Sequence, residues 1–200
     1  VTLPDGTQVK LNAESSLSYT HDFGRELRQV NLEGEAYFEV TKDEARCFNV
    51  IMEGATIEVM GTSFNASCYP GEGQCWAVLE SGKINLRTDH GVAAVNVGEC
   101  ASYDIASGKV TVESVDLKYF TSWRYGTFYF YNTPLSEIVQ KLGRWYDVNF
   151  KFADESLREV CFSGAALRSK PIDFMLELLS STQSLKFDIQ SDGVIIIYKK

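Results

Sequence analysis

The stretch LEGEAYFEV, residues 32–40, has the strongest potential for chemistry, because it places three glutamates within seven residues. In an extended chain Glu33, Glu35, Tyr37 and Glu39 lie on one side and the apolar residues between them on the other. This alternation is typical of a half-buried strand. Carboxylates on the same side are then roughly 7 Å apart, which overlaps the separation between the acid and the base of an inverting glycosidase.

A pair of catalytic carboxylates also needs unequal surroundings. One carboxyl group must have its pKa raised by an apolar pocket, and three glutamates on one solvated face provide no such difference. Rows of charged side chains are usually exposed to solvent. The sequence therefore predicts that Glu33, Glu35 and Glu39 form the solvent face of a strand.

Other catalytic signatures are missing from the sequence. It contains no HExxH, no GxSxG, no P-loop and no GxGxxG motif. The two histidines, His21 and His90, each follow or precede an aspartate in a predicted loop, apart from any Cys/His cluster. The sequence predicts no enzyme activity, no metal and no cofactor.

Composition restricts the classes of partner. The net charge is −8 and the pI is about 4.8, which argues against nucleic acids and anionic membrane surfaces, because basic patches supply most of the affinity for both. No apolar run approaches the roughly 18 residues of a membrane span. The chain begins in mid-pattern at VTLPDGT, so we expect a preceding segment that holds an anchor or an export signal.

Residues 1–115 consist of short alternating runs separated by turn signals, beginning with a hairpin at Asp5-Gly6. This pattern predicts an all-β domain, and a sandwich, a barrel and a β-solenoid all remain open. Residues 116–126 form an aromatic-rich connector.

Residues 127–200 show helical spacing. Thr133 is predicted as the N-cap of a helix with Pro134 as its first residue, and a second helix is predicted over PIDFMLELLSST, which begins at Pro171. A shift of 37 residues superimposes the apolar positions of the two helices and of the strands that follow them. The sequence therefore predicts a mainly β protein whose C-terminal part is a duplicated βαβ domain, with both helices on one small sheet.

Two regions are candidates for binding a partner. Aromatic residues crowd the connector and the next strand, where Phe128 and Phe130 are predicted to face inward and tyrosines outward. They either fill a seam between the domains or bind a partner. The C-terminal run VIIIYKK is a candidate edge strand for β-augmentation, although a central position is equally compatible with it. The candidate residues are Trp123, Tyr125, Tyr129, Tyr131, Ile195, Ile196 and Ile197.

Five cysteines leave at least one unpaired. Cys68 and Cys75 flank a Pro-Gly-rich turn and are the best candidates for a disulfide. The alternative is that all five are small buried hydrophobic residues.

The segments VTLPDGTQVKLNAESSLSY, VNLEGEAYFEV and IEVMGTSFNASCY follow one another along the first part of the chain. They resemble the periplasmic part of FecR-type anti-sigma factors. The later segment WRYGTFYFYNTPLSEIVQKLGRWYDVNFKF with FSGA resembles the C-terminal domain of that family, which is similar to the STN domain. The resemblance implies a β-solenoid-like N-terminal part in which Gly34, Glu35, Tyr37 and Phe38 are a hallmark of the fold.

The resemblance also implies a function. Such proteins sense the signalling domain of a TonB-dependent outer-membrane transporter in the periplasm and control an ECF sigma factor. A cytoplasmic region would bind the sigma factor, and a helix would cross the inner membrane. Both would lie outside this sequence. The alternative is a carbohydrate-binding or polysaccharide-acting β-rich protein, based on the acidic strand, the exposed tyrosines and Trp76, Trp123 and Trp145.

Overall fold

The computed structural model describes residues 1–25, 27–182 and 185–200. These residues form two compact units, unit 1 (residues 1–124) and unit 2 (residues 125–200). With 47% of residues in strands and 18% in helices, the prediction of a mainly β protein is confirmed. Most of the predicted connector, residues 116–124, folds as part of unit 1.

Unit 1 is built on one sheet whose strands follow the alternating runs of the sequence. The order along the sheet is β11-β10-β7-β6-β3-β4-β5-β8-β9, and β1 and β2 also pair with β3. Strand β9 comes close to β10 and β11, so the sheet nearly closes on itself. The strands are β1 (Gln8–Leu11), β2 (Ser16–Ser18), β3 (Arg28–Glu39), β4 (Phe48–Met52), β5 (Ala55–Val59), β6 (Ser63–Cys68), β7 (Gln74–Ser81), β8 (Ile84–Thr88), β9 (Gly91–Val95), β10 (Glu99–Asp104) and β11 (Val110–Ser114).

The chain leaves this sheet through a short helical segment. Helix α1 (Lys118–Thr121) is followed by one 3-10 turn, Ser122–Tyr125. Thr121 Oγ1 donates a hydrogen bond to the carbonyl oxygen of Leu117 at 2.9 Å, which fixes the first turn. We call residues 117–124 the covering segment, because its side chains lie on one face of the sheet, as described below.

The core of unit 1 is enclosed by the sheet and contains one buried cation. Arg28, at the start of β3, is 1% exposed and forms an ion pair with Asp5 at 2.6 Å. Its guanidinium also donates to the carbonyl oxygens of Thr41 and Arg46. A buried charge is tolerated when it is paired and hydrogen-bonded in this way, so Arg28 joins the N-terminal hairpin to the loop after β3.

Unit 2 contains two strand–helix–strand sequences followed by a final strand. Helix α2 (Leu135–Tyr146) buries Leu135, Ile138, Val139 and Leu142. Helix α3 (Ile172–Thr182) buries Met175, Leu176 and Leu179. The strands are β12 (Thr127–Pro134), β13 (Phe150–Phe152), β14 (Cys161–Leu167), β15 (Leu185–Ile189) and β16 (Ile195–Lys199), with a 3-10 helix at Glu155–Glu159.

The strands of unit 2 form two sheets, so the prediction of one small sheet is wrong. Strand β12 pairs with β14, while β13, β16 and β15 form a separate sheet in that order. The predicted start of α2 is also wrong by one residue. Thr133 lies in β12 and Pro134 is the cap residue in an extended conformation, because the amide of Leu135 is held by the carbonyl oxygen of Val160 at 2.8 Å.

Candidate functional site

The acidic face of β3 is only partly exposed to solvent. Glu33 and Glu39 are exposed, whereas Glu35 is 9% and Tyr37 4% exposed. The prediction that all three glutamates form a solvent face is therefore wrong for Glu35. The covering segment lies over the middle of this face and shields it from water.

Asn65 on β6 connects the sheet to the covering segment. Its side-chain amide donates to Glu35 Oε1 at 2.7 Å and to the carbonyl oxygen of Phe120 at 3.0 Å. Its Oδ1 accepts the indole N–H of Trp123 at 3.3 Å. Asn65 is completely buried, and Glu35 Oε2 accepts a further bond from Asn12 at 2.7 Å. Because both carboxylate oxygens have donors within the fold, Glu35 has a structural role.

A second set of contacts involves Tyr37 and Arg124. The guanidinium of Arg124 lies 3.5 Å from the centre of the Tyr37 ring, and its Nη2 is 3.2 Å from Glu80 Oε1. The Tyr37 hydroxyl donates to Glu80 Oε2, and Lys10 donates to the carbonyl oxygen of Arg124. Burial, followed by the hydrogen bond with Glu80, raises the pKa of Tyr37 to about 12. The phenol is therefore protonated at neutral pH and cannot serve as a base.

Trp123 is not available for binding a partner. The prediction placed it among the binding residues, but it is 5% exposed and its indole N–H is bound to Asn65. Trp76 packs edge-on against Phe120 with ring centroids 5.2 Å apart. Both tryptophans help to hold the covering segment, so they do not form the stacking platform that the carbohydrate alternative required.

The tyrosines of β12 are exposed, as the alternation predicted. Phe128 and Phe130 are each 6% exposed, whereas Tyr129 is 39% and Tyr131 72% exposed. Pairing with β14 places Ala165 opposite Tyr129 and Leu167, 42% exposed, opposite Thr127. We call Tyr129, Tyr131, Ala165 and Leu167 the tyrosine face. Tyr125, 79% exposed, precedes it in the chain.

The C-terminal strand is central, which decides between the edge and central positions that the sequence left open. Strand β16 pairs with β13 on one side and with β15 on the other. Ile195 is 1% exposed and Ile197 fully buried, and Ile196 is partly buried. The run of β-branched residues reflects a strand that is paired on both sides, which is typical of central strands.

The structure joins Cys68 and Cys75 in a disulfide, with Cα atoms 4.3 Å apart. It connects the end of β6 to the start of β7 across the predicted Pro-Gly-rich turn. The other cysteines, Cys47, Cys100 and Cys161, are free thiols. Burial raises the pKa of the Cys100 thiol to about 11.

Within the described residues, no group of three or more His, Cys, Asp or Glu side chains is placed to hold a metal ion. None of the helices in the described ranges has the length and apolar character needed to cross a membrane.

Sequence reasoning missed Asn65, Glu80 and Arg124, which hold the covering segment. Each is a polar residue within an ordinary strand or loop pattern, and only the pairing of distant strands brings them together. The only signal in the sequence is Asn65, the one amide side chain in β6, whose other residues are small or apolar.

Comparisons with known proteins agree for both units. The family model of the FecR protein matches residues 1–85, and that of the FecR C-terminal region matches residues 127–197. Two crystal structures of a candidate anti-sigma factor from Parabacteroides distasonis ATCC 8503, at 1.65 and 2.50 Å resolution, have TM-scores of 0.90 and 0.88. In both, identity is 28%, and the match covers 100% of this chain and 93% of the other. A comparison with curated proteins gave no significant match.

Proposed function

Because this chain belongs to the FecR family of anti-sigma factors, we propose that it is the sensor portion of an inner-membrane regulator. In this proposal it lies in the periplasm and receives a signal from the signalling domain of a TonB-dependent outer-membrane transporter. A cytoplasmic region outside this sequence, connected through a membrane helix, then controls an ECF sigma factor.

The observation that carries the proposal is the match of two family models to the two compact units. A sensor needs an exposed surface that receives the input. The polar groups on the middle of the acidic face are bound within unit 1, to Asn65, Asn12 and Arg124. The tyrosine face of unit 2 is exposed, and tyrosine is a frequent anchor in protein interfaces.

The distribution of charge also favours unit 2 as the docking unit. Unit 1 contains 18 acidic and 10 basic residues, so it carries the whole net charge of −8. Unit 2 contains nine of each and is neutral. A partner that docks on the tyrosine face therefore meets aromatic and apolar groups without the strong negative field of unit 1.

The disulfide supports a location outside the cytoplasm. Structural disulfides persist in oxidising compartments such as the bacterial periplasm and are rare in the reducing cytosol. The Cys68–Cys75 bridge joins neighbouring strands in the middle of the sheet, where it stabilises a unit that has to remain folded after export.

Calorimetric titration tests the proposal. The 200-residue chain is titrated with the isolated N-terminal signalling domain of the TonB-dependent transporter encoded beside its gene. We expect saturable one-to-one binding, weakened about tenfold or more by Tyr129→Ala or Tyr131→Ala. Tyr19→Ala is the matched control, because Tyr19 is similarly exposed, 41%, but lies in unit 1. No binding at high concentration, with both proteins folded, would refute the proposed function.

A further inference from the structure

Strand β15 is an edge strand with an unpaired side. It pairs with β16 in antiparallel register, and within the described residues no other strand pairs with it. Its five residues, LKFDI, alternate between apolar side chains on the inner side and charged side chains on the outer side. An edge of this length is a template for an added strand.

The hairpin between β15 and β16 shows which backbone groups point to the free side. Gln190 N–H donates to the carbonyl oxygen of Val194 at 2.8 Å, so these two residues form a hydrogen-bonded pair. Bonded and non-bonded pairs alternate along an antiparallel ladder. Lys186 and Asp188 therefore turn their backbone groups towards β16, whereas Phe187 and Ile189 turn theirs towards the free side.

A groove lies between this strand and helix α3. Its volume is about 510 Å³. Leu176, Phe187 and Ile189 are its apolar components, and Ile189 is 54% exposed although its neighbours on the same side of the sheet, Ile195 and Ile197, are buried. The remaining lining residues are Asp173, Glu177, Ser180, Ser181 and Lys200.

The charges of the groove favour a basic occupant. Asp173 and Glu177 lie one helical turn apart on α3, both are exposed, and neither forms an ion pair within the described part of the chain. The ammonium group of Lys200 donates a hydrogen bond to the carbonyl oxygen of Ser180 at 3.2 Å. A strand with apolar side chains towards the groove and a Lys or Arg beside the two carboxylates would complement this surface.

We propose that an extended strand of the transporter's signalling domain adds to β15 and fills this groove. The inference rests on the proposed function and specifies the backbone part of the recognition, on a different surface from the tyrosine face. Main-chain bonds to Phe187 and Ile189 supply affinity, and the acidic residues of α3 select a basic side chain. A second copy of this chain fits less well, because pairing of two β15 strands would bring two acidic α3 helices together.

Amide exchange measured by NMR on the 15N-labelled 200-residue chain provides the direct test. On saturation with the isolated signalling domain used above, we expect the amides of Phe187 and Ile189 to exchange at least tenfold more slowly. The amides of Lys186 and Asp188 are already bonded to β16 and should change little. A contact made by side chains alone would not produce this alternation.

Paired variants separate the backbone contribution from the side-chain contribution. Ile189→Pro and Ile189→Thr both remove the isoleucine, but only proline removes the N–H that points to the free side. We expect the proline variant to bind at least tenfold more weakly than the threonine variant. Glu177→Lys should also weaken binding about tenfold, whereas Glu137→Lys, an equal change of charge at an exposed position of α2, should not. Thermal unfolding and the NMR spectrum verify that each variant is folded.

The possible outcomes distinguish the two proposals. In one outcome the wild-type chain binds, amide exchange at Phe187 and Ile189 does not change, and Glu177→Lys binds as tightly as the wild type. This outcome refutes strand addition but supports the proposed function. In another outcome the same amides are protected without the partner and the chain self-associates with rising concentration. The occupant is then a second copy of this chain, which also refutes addition of the transporter's strand. Absence of any binding by the folded wild-type chain refutes the proposed function and this inference with it.

Discussion

The indole N–H of Trp123 donates a hydrogen bond to Oδ1 of Asn65 at 3.3 Å, across 58 positions of the sequence. Asn65 is in the middle of the sheet, where β6 places it opposite Tyr37 on β3. The last residues of unit 1 are therefore tied to the centre of its sheet. The contact also explains why the middle of the acidic face is buried.

Replacing Asn65 tests this connection. Asn65→Ala removes the partner of Glu35, of the Phe120 carbonyl and of Trp123 at once. Buried polar groups without partners are costly, so we expect unit 1 to lose about 3 kcal/mol of stability in urea unfolding followed by tryptophan fluorescence. Asn85→Ala, at an exposed position of β8, is the control and should change stability by less than about 0.5 kcal/mol. Equal stability of the two variants would contradict the role of Asn65.

The local pattern of the sequence predicted individual elements well. Alternation correctly separated Phe128 and Phe130 from Tyr129 and Tyr131, because the side chains of a strand point to opposite faces regardless of the rest of the fold. Helical spacing likewise identified the buried sides of α2 and α3.

The order of the strands in a sheet, and the segments that cover its faces, could not be predicted in this way. Ile195 and Ile197 look the same in an edge strand and a central strand, and their position depends on pairing with β13, more than 40 residues earlier. The burial of Glu35 depends on Trp123 and on Phe120, which are far away in the sequence. Periodicity contains no information about which distant segment covers a polar face.

The raised pKa of Tyr37 predicts a loss of stability in alkali. The pKa of the phenol is near 10 in the unfolded chain and about 12 in the folded protein, so the folded state keeps this proton to a higher pH. The stabilising contribution is complete below pH 10 and decreases as the pH rises from about 10 to 12, by about 2–3 kcal/mol in total. We expect Tyr37→Phe to lose less stability over this range than the wild-type protein does.

Titration of tyrosinate absorbance identifies the group directly. The wild-type protein should contain one tyrosine that ionises near pH 12 and is missing from the titration of Tyr37→Phe. The Tyr125→Phe variant is the control, because its ring is exposed. A curve of Tyr37→Phe that retains the late-ionising tyrosine would exclude the assignment.

The disulfide predicts both a thiol count and a change in stability. Under denaturing conditions without reductant, three of the five cysteines should react with a thiol reagent, and all five after reduction. Cys68 and Cys75 are only seven positions apart, so the double variant Cys68→Ala/Cys75→Ala should lose about 2 kcal/mol. Reductant should lower the thermal midpoint of the wild-type protein and leave that of the double variant unchanged. Five reactive thiols in protein purified from the periplasm would contradict the bridge.

Gly34 provides the sharpest test of why the acidic strand has its sequence. Its φ is +100°, and a Cβ at this position would lie 2.4 Å from Ser15 Oγ and 2.7 Å from Ser15 Cα. Ser15 cannot withdraw easily, because its hydroxyl accepts the amide of Glu35 at 2.8 Å and donates to the carbonyl oxygen of Ala13. Gly34→Ala should therefore cost more than about 2 kcal/mol, through backbone strain and displacement of this contact.

Gly164→Ala is the matched control for that substitution. Gly164 also lies in a strand, β14, but its φ is not in the left-handed region and no atom lies within 4 Å of the added Cβ. We expect this variant to be as stable as the wild-type protein or slightly more stable, because alanine restricts the unfolded chain more than glycine does. If chemical denaturation instead showed equal losses for both variants, the approach of Ser15 would not be the reason for the glycine at position 34.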